Sequence, residues 1–178
     1  MAQEFFVTLD KIIKEYSLET VYCSKNPSEI KISNGDVNRP GLQLTGFYEY
    51  FDNNRIQIIG KAEIAFLEQK NSEERLKAFD QLFVHQPPAV IVTRGMEVPP
   101  EAITAAQKYD VPVFLCKEST STFMAKLIAF LGLNLAPRIT RHGVLIEIYG
   151  EGVLILGDSG VGKSETAIEL VKRGHRLV

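Results

Sequence analysis

One stretch near the end of the chain constrains the fold more than any other. Residues Val153–Leu156 form an all-apolar run of strand length. A glycine-rich turn follows, Gly157-Asp158-Ser159-Gly160-Val161-Gly162-Lys163-Ser164. Beyond it an amphipathic segment from Lys163 to Arg173 carries Ile168, Leu170 and Val171 and stops at Gly174, a good residue for the turn after a helix. A buried strand feeding through such a turn straight into a helix predicts an α/β arrangement at this point.

The turn matches G-x-x-x-x-G-K-[ST] at every fixed position. A loop that wraps a chain of phosphates must aim successive backbone N–H groups inward, which calls for unusual backbone angles and hence Gly157, Gly160 and Gly162. The helix behind it offers free N–H groups and the positive end of its dipole. Lys163 can reach the β- and γ-phosphates of ATP as a mobile point charge, and the Ser164 hydroxyl can enter the shell of a Mg²⁺ ion. Gly157, Asp158, Ser159, Gly160, Val161, Gly162, Lys163 and Ser164 are therefore expected to bind the nucleotide. Lys163 is expected to act in catalysis as well, and Ser164 to be the metal ligand. Asp158 is the odd member, since a carboxylate in an anion cradle must face away from it; a solvent-facing side chain is expected. The plainer alternative is a strand-to-helix turn with a surface lysine, and the flanking strand and helix weigh against it.

Bulk properties exclude several classes. The chain has 178 residues, enough for one ordinary domain or two small ones, and its 45% apolar and 24% charged content is that of a soluble globular protein. Twenty basic and 22 acidic residues leave a formal charge of -2, with no basic run, so nucleic-acid binding is not expected. Cys23 and Cys116 are far apart and belong to no Cys-x-x-Cys pair, against a disulfide framework or zinc site. Met1–Asp10 lacks the pattern of an export signal, and no apolar run approaches the ~18 residues of a membrane span. A cytoplasmic protein is expected.

Before the loop the chain reads as a separate small α/β domain over residues 1–133. Residues 8–17 predict a short helix with Thr8 as N-cap and Leu9, Ile12, Ile13 and Tyr16 on one face; strands are expected at Thr20–Cys23 and 55–59. Ser72 opens a helix, Ala89–Thr93 and Val111–Leu115 read as buried strands, and Pro100 starts a helix that runs to Tyr109. Ser119 or Thr120 caps a further helix through Leu131, ending at Gly132. Strand and helix alternating over short connections predict parallel pairing. Residues 134–141 read as a linker, because Pro137 disfavours helix. Residues 142–178 then begin a second domain: a strand at His142–Tyr149, a tight turn at Gly150-Glu151-Gly152, the apolar strand, the loop, its helix, and a strand starting at Arg176.

His142-Gly143-Val144-Leu145, the loop, and the run from Ser164-Glu165-Thr166-Ala167 through Glu169-Leu170-Val171-Lys172-Arg173-Gly174-His175-Arg176-Leu177-Val178 together resemble the HPr kinase/phosphorylase family. Asp36-Val37-Asn38-Arg39-Pro40-Gly41-Leu42-Gln43-Leu44-Thr45-Gly46 resembles that family's N-terminal domain. The resemblance implies a bifunctional, ATP- and Mg²⁺-dependent enzyme. It phosphorylates a serine of HPr, the phosphocarrier of the sugar phosphotransferase system, and runs the reverse phosphorolysis, in which inorganic phosphate releases pyrophosphate. It further implies a homohexamer serving bacterial carbon catabolite control, with a P-loop kinase domain similar to phosphoenolpyruvate carboxykinase. It places the family's loop lysine at Lys163, its metal-bound hydroxyl at Ser164 and its active-site histidine at His142. Read from the residues alone, His142 is either a strand-end histidine on a solvated edge or a group able to orient or protonate a phosphate oxygen. His175 reads as helix capping, His85 as structural, Cys116 as packing, and Arg39 as structural or intersubunit.

In the family the acidic residue that serves as general base lies on the strand after the loop helix, and a further acidic metal ligand comes later. This sequence stops at Val178 as that strand begins, and Glu165 and Glu169 are no evident substitutes. The expectation is a chain truncated within its C-terminal catalytic domain and inactive alone. The alternative function, from another class, is a non-catalytic nucleotide- or effector-binding module; a third reading is some other phosphate-loop NTPase.

Overall fold

The structure is a computed structural model and describes residues 5–138 and 140–178. The chain divides into two compact units, one reaching Ala136 and the other running from Pro137 to Val178.

The first unit is built on a five-stranded sheet. Its strands are β2 (Glu19–Tyr22), β4 (Val37–Asn38), β5 (Ile56–Ile59), β6 (Val90–Val92) and β7 (Val113–Leu115), in the order β2-β7-β6-β5-β4. β4 to β7 run parallel as the alternation predicts, and β2 closes the edge antiparallel to β7. A short antiparallel pair, β1 (Val7–Thr8) and β3 (Lys31–Ile32), lies outside this sheet. Every residue of β5 and β6 is buried, as expected of parallel strands covered on both faces.

Pleating divides their side chains between two cores. Ile56, Ile58, Ile91 and Phe114 pack with Leu9 and Ile12 of α1 (Leu9–Tyr16) and with Phe123, Leu127 and Leu131 of α5 (Thr120–Leu135). Ile59, Val90, Val92 and Val113 pack on the other face with Phe79, Leu82 and Phe83 of α3 (Ser72–Phe83) and with Ala102, Ala105 and Ala106 of α4 (Pro100–Tyr109). Gln57, fully buried on that second face, is satisfied by receiving Asn38 Nδ2 at 2.7 Å and donating to the Arg55 carbonyl at 2.7 Å.

Helix α3 starts at Ser72 as the sequence reading has it, with Asn71 before it as the N-cap, whose side chain receives the Glu74 N–H at 2.9 Å. Two elements depart from the sequence reading. Helix α2 (Lys61–Glu68) is additional to it; its N-cap is Gly60, whose N–H donates to the Glu63 carboxylate at 2.9 Å. Helix α5 does not end at Gly132 but passes through it to Leu135. Leu135 packs against the first core and Asn134 Nδ2 donates to the Phe130 carbonyl at 2.8 Å, which offsets the ~1 kcal/mol cost of a helical glycine. Ala136, at ψ 137°, then takes the extended conformation demanded of a residue before proline. Of the predicted 134–141 linker, Asn134 and Leu135 are thus helical, and Ile139 lies outside the described residues, as do residues 1–4 of the Met1–Asp10 stretch read for an export signal.

The second unit holds a three-stranded sheet, β10-β8-β9, and one helix, α6 (Lys163–Lys172). β8 (Gly143–Ile148) and β9 (Glu151–Leu156) form a hairpin, and β10 (Arg176–Leu177) pairs antiparallel with β8. The turn is Tyr149-Gly150, not Gly150-Glu151-Gly152. Both turn residues have positive φ, 53° and 85°, the two-residue geometry whose twist suits a hairpin, so β9 starts at Glu151. Gly174 closes α6 at φ 95°, with the His175 N–H donating to the Leu170 carbonyl at 3.1 Å. His175 therefore closes the helix through its backbone, and its ring meets Tyr149 edge-on at 5.0 Å.

Candidate functional site

The loop Gly157–Ser164 joins the end of β9 to the start of α6 and is open to solvent along most of its length. Gly160 and Gly162 sit at φ 85° and 90°, in the left-handed region that glycine enters without a steric penalty. Gly157 is needed for a different reason from the one its motif suggests. Its φ is not positive, but a Cβ there would lie 2.8 Å from Val161 Cγ2, so its hydrogen makes room for the loop to fold over itself. Gly162 is also the N-cap of α6, and its carbonyl receives both the N–H and the hydroxyl of Thr166, at 2.9 and 3.0 Å. Those bonds set the first turn, which leaves the leading amides of α6 without intrahelical partners.

Lys163 is the one side chain tied across the loop. Its Nζ donates to the carbonyls of Gly157 at 2.7 Å and Asp158 at 2.6 Å. The ammonium thus sits over the concave main chain, where an anion entering the cradle would meet it. Asp158 contributes its carbonyl to this contact and is exposed, as is Ser159. Ser164 is exposed on the first turn of α6 beside Lys163. Two left-handed glycines, a third with no room for a side chain, free helix amides and a bridging lysine fit a bound triphosphate.

The hairpin brings the last predicted residue to this loop. Gly143 pairs with Leu156 at the end of the ladder, and His142 and Gly157 are the residues one step beyond these two strand ends. His142 is exposed there. The structure thus gathers Gly157–Ser164 and His142 at one end of the second unit.

The motif residues of the first unit are spent on contacts within it. Arg39 Nη2 lies 2.8 Å from each carboxylate oxygen of Glu63, Asp36 pairs with Arg55 at 3.2 Å, and Asn38 holds Gln57. These bonds tie the short edge strand β4 to β5 and α2. His85 packs on Tyr48 at 4.7 Å and Phe51 at 5.4 Å. Burial pushes the thiols of Cys116 and Cys23 up, away from the thiolate a nucleophile needs. Among the described residues no helix is long and apolar enough to cross a membrane.

Sequence comparison agrees with this layout. The family described as HPr Serine kinase N terminus matches residues 7–131, and that described as HPr Serine kinase C-terminal domain matches residues 133–178. The chain belongs to the HPr kinase family. Among its relatives are proteins named HPr kinase/phosphorylase from Caldicellulosiruptor bescii, 51% identical over 174 residues, and Lachnoclostridium phytofermentans, 45% identical over 174 residues. Each match takes in 98% of this chain and 56% of the relative. A further HPr kinase/phosphorylase, from Listeria monocytogenes, is 47% identical over 172 residues, 97% of this chain and 55% of its own. The chain therefore spans about half the length of these relatives. The CBS and DRTGG region of a Clostridium perfringens pyrophosphatase overlaps 72% of this chain and 50% of its own at a TM-score of 0.49 and 19% identity, too remote to bear on fold or ligand. Within this HPr kinase family member the loop Gly157–Ser164 lies wholly in the C-terminal match.

Sequence reasoning passed over two residues of the site. Thr166 lies one turn into α6 and looks like any helical threonine until its hydroxyl is seen on Gly162. Gly143 carried a signal, since an isolated glycine in a strand pattern marks a close backbone approach.

Proposed function

We propose that Gly157–Ser164 binds the triphosphate of ATP with Mg²⁺, and that this chain is part of an enzyme that phosphorylates a serine of HPr and reverses the reaction by phosphorolysis. The observation that carries the reading is the Lys163 ammonium poised across a glycine loop at a helix N-terminus. When bound, ATP with Mg²⁺ supplies the phosphoryl group, and inorganic phosphate takes it back as pyrophosphate in the reverse direction. The chain's own residues do the rest. The backbone N–H groups of residues 157–162 and of the first turn of α6 hold the phosphates. Lys163 gives up its two carbonyl contacts and keeps its charge at the transferring end. Ser164 offers its hydroxyl oxygen to the metal. His142, next to the Gly143–Leu156 pair that leads into the loop, orients or protonates a phosphate oxygen.

The division into an N-terminal domain at 1–133, a linker at 134–141 and the start of the catalytic domain at 142–178 belongs to the same reading. So do a homo-oligomeric, hexameric assembly, a cytoplasmic site of action and a role in carbon catabolite control. The relatives' shared name and the two family matches support the HPr kinase/phosphorylase reading, and the assembly, site of action and role follow from the family resemblance alone.

The test is transfer of labelled phosphate from ATP with Mg²⁺ to purified HPr by the longer enzyme that contains these residues, run beside calorimetric ATP binding to the 178-residue chain. Label placed on an HPr serine by that enzyme, and released as pyrophosphate when inorganic phosphate is added, is the expected result. ATP bound with no label on HPr would remove the kinase reading from these residues and leave the loop a nucleotide grip.

A further inference from the structure

Gly143 has no side chain to offer chemistry, yet no side chain fits where it lies. A Cβ there would stand 2.8 Å from the Ile155 carbonyl oxygen and 2.9 Å from both Leu154 Cδ1 and Leu156 Cδ2. The leucine methyls are flexible ends that can turn away. The Ile155 oxygen is main chain, and displacing it means displacing β9. Backbone conformation is not the cause, because Gly143 is absent from the positive-φ residues; only space forbids a larger residue. Gly152, on β9 of the same hairpin, is the contrast: a Cβ there meets nothing within 4 Å. The close approach is local to the end of the hairpin that adjoins the loop.

That end holds the one predicted site residue outside the loop. Ile146 of β8 is fully buried, and Val144 lines a cavity with Ala167 and Ile168 of α6, so even-numbered positions of β8 face the helix. The pleat carried back one step puts position 142 on that face too. Gly143–Leu156 is the last pair of the ladder, and His142 and Gly157 adjoin it. Any side chain at 143 would lever the start of β8 away from β9 at that last pair, taking the adjoining His142 with it.

We propose that Gly143 is a positioning residue, whose missing side chain lets His142 stand against the phosphate loop. The inference rests on the reading of Gly157–Ser164 as a phosphate site and of His142 as the group that meets a bound phosphate.

The test follows the proton NMR ring resonances of the chain's three histidines at fixed pH, with His142 assigned through His142→Gln, with and without saturating inorganic pyrophosphate and Mg²⁺. In the wild type, an occupied loop displaces the His142 ring resonances, because the field of a nearby anion acts on the ring. Gly143→Ala is expected to bind pyrophosphate within about threefold of wild type and yet to lose more than about half of that displacement, since sub-ångström displacement suffices to uncouple placed groups. Gly152→Ala keeps the whole displacement. A Gly143→Ala chain with the full displacement overturns the proposal. So does one that loses pyrophosphate binding together with the amide pattern of the hairpin, because Gly143 would then serve folding and not placement. Independently of any variant, wild-type protein should show nuclear Overhauser contacts between the His142 ring and the Gly157 α-protons, and their absence also overturns it. Pyrophosphate bound to wild type with His142 unmoved defeats the His142 reading and this proposal with it. No pyrophosphate binding at all defeats the phosphate loop itself, so the two failures are told apart.

Discussion

Lys163 makes two short contacts to loop carbonyls and lies where the motif requires a cation, so its removal is the sharpest change at the residue scale. Lys163→Ala should weaken ATP binding by about ten- to a hundredfold, the value of one or two charge-assisted hydrogen bonds, as read by calorimetry. His142→Ala should act on turnover instead: in the longer enzyme that contains these residues, a drop of about 10² or more in transfer to HPr, with ATP affinity nearly unchanged, is expected of a proton-handling group. Equal losses in both would make the histidine a support of the fold. A third residue bears on pH. The Glu101 carboxylate is buried and takes hydrogen bonds from Arg75 at 2.8 and 3.0 Å and from Ser72 at 2.7 Å. The Arg75 guanidinium first, and Ser72 after it, hold its pKa down, to about 2 from the usual 4.5. A lowered folded-state value means stability that is present above about pH 4.5 and is lost as pH falls towards 2, roughly 2–3 kcal/mol in all. Glu101→Gln should flatten that part of the acid denaturation curve, followed by circular dichroism. That Lys163 and Ser164 open a helix straight after the glycine turn was legible in the sequence, because the motif ties residue type to position. The reason for Gly157 was not, since a demand for space arises from Val161 folding back and leaves no pattern in the chain.

At the scale of elements, the meeting of the N-terminal ends of α2 and α5 beyond β5 makes a definite prediction. A Cβ on Gly60 would lie 2.6 Å from Thr120 Oγ1, which is itself buried and 2.7 Å from Thr93 Oγ1. Thr120 cannot turn away without abandoning that partner. Gly60→Ala should cost about 1–3 kcal/mol in urea denaturation, the usual range for overpacking, and adding Thr120→Ala should recover part of it. A double variant as unstable as the sum of the two single changes would contradict this contact. The same contact shows where sequence reading stops. Helix α4, with proline at its first position, and α6, behind the loop, were plain. Helix α2 is eight residues long with a glycine cap, and the feature that sets its start is a Glu63 carboxylate shared between Gly60 and Arg39. The last turn of α5 depends on what Leu135 packs against, which local sequence does not contain.

For the whole molecule, the two units differ in how much they bury. The first has two cores filled by large side chains such as Phe79, Phe83, Phe114 and Phe123, whereas in the second Ile146 and Ala167 are the buried apolar residues among those described. Amide hydrogens of β8 and β9 should therefore exchange well before those of β5–β7, and bound ATP should slow them, since a ligand stabilises the state that binds it. Equal protection in the two units would contradict the difference. The alternation of strands and helices made the parallel run from β5 to β7 legible, while the pairing of β2 with β7 joins residues that neither turn nor periodicity connects. The central claim, that Gly157–Ser164 grips the triphosphate of ATP, is met most directly by calorimetric titration of this chain with ATP and Mg²⁺, wild type beside Lys163→Ala. The account predicts one saturable site in the wild type, weakened at least about tenfold in the variant. No binding, or the same affinity in both chains, would contradict it.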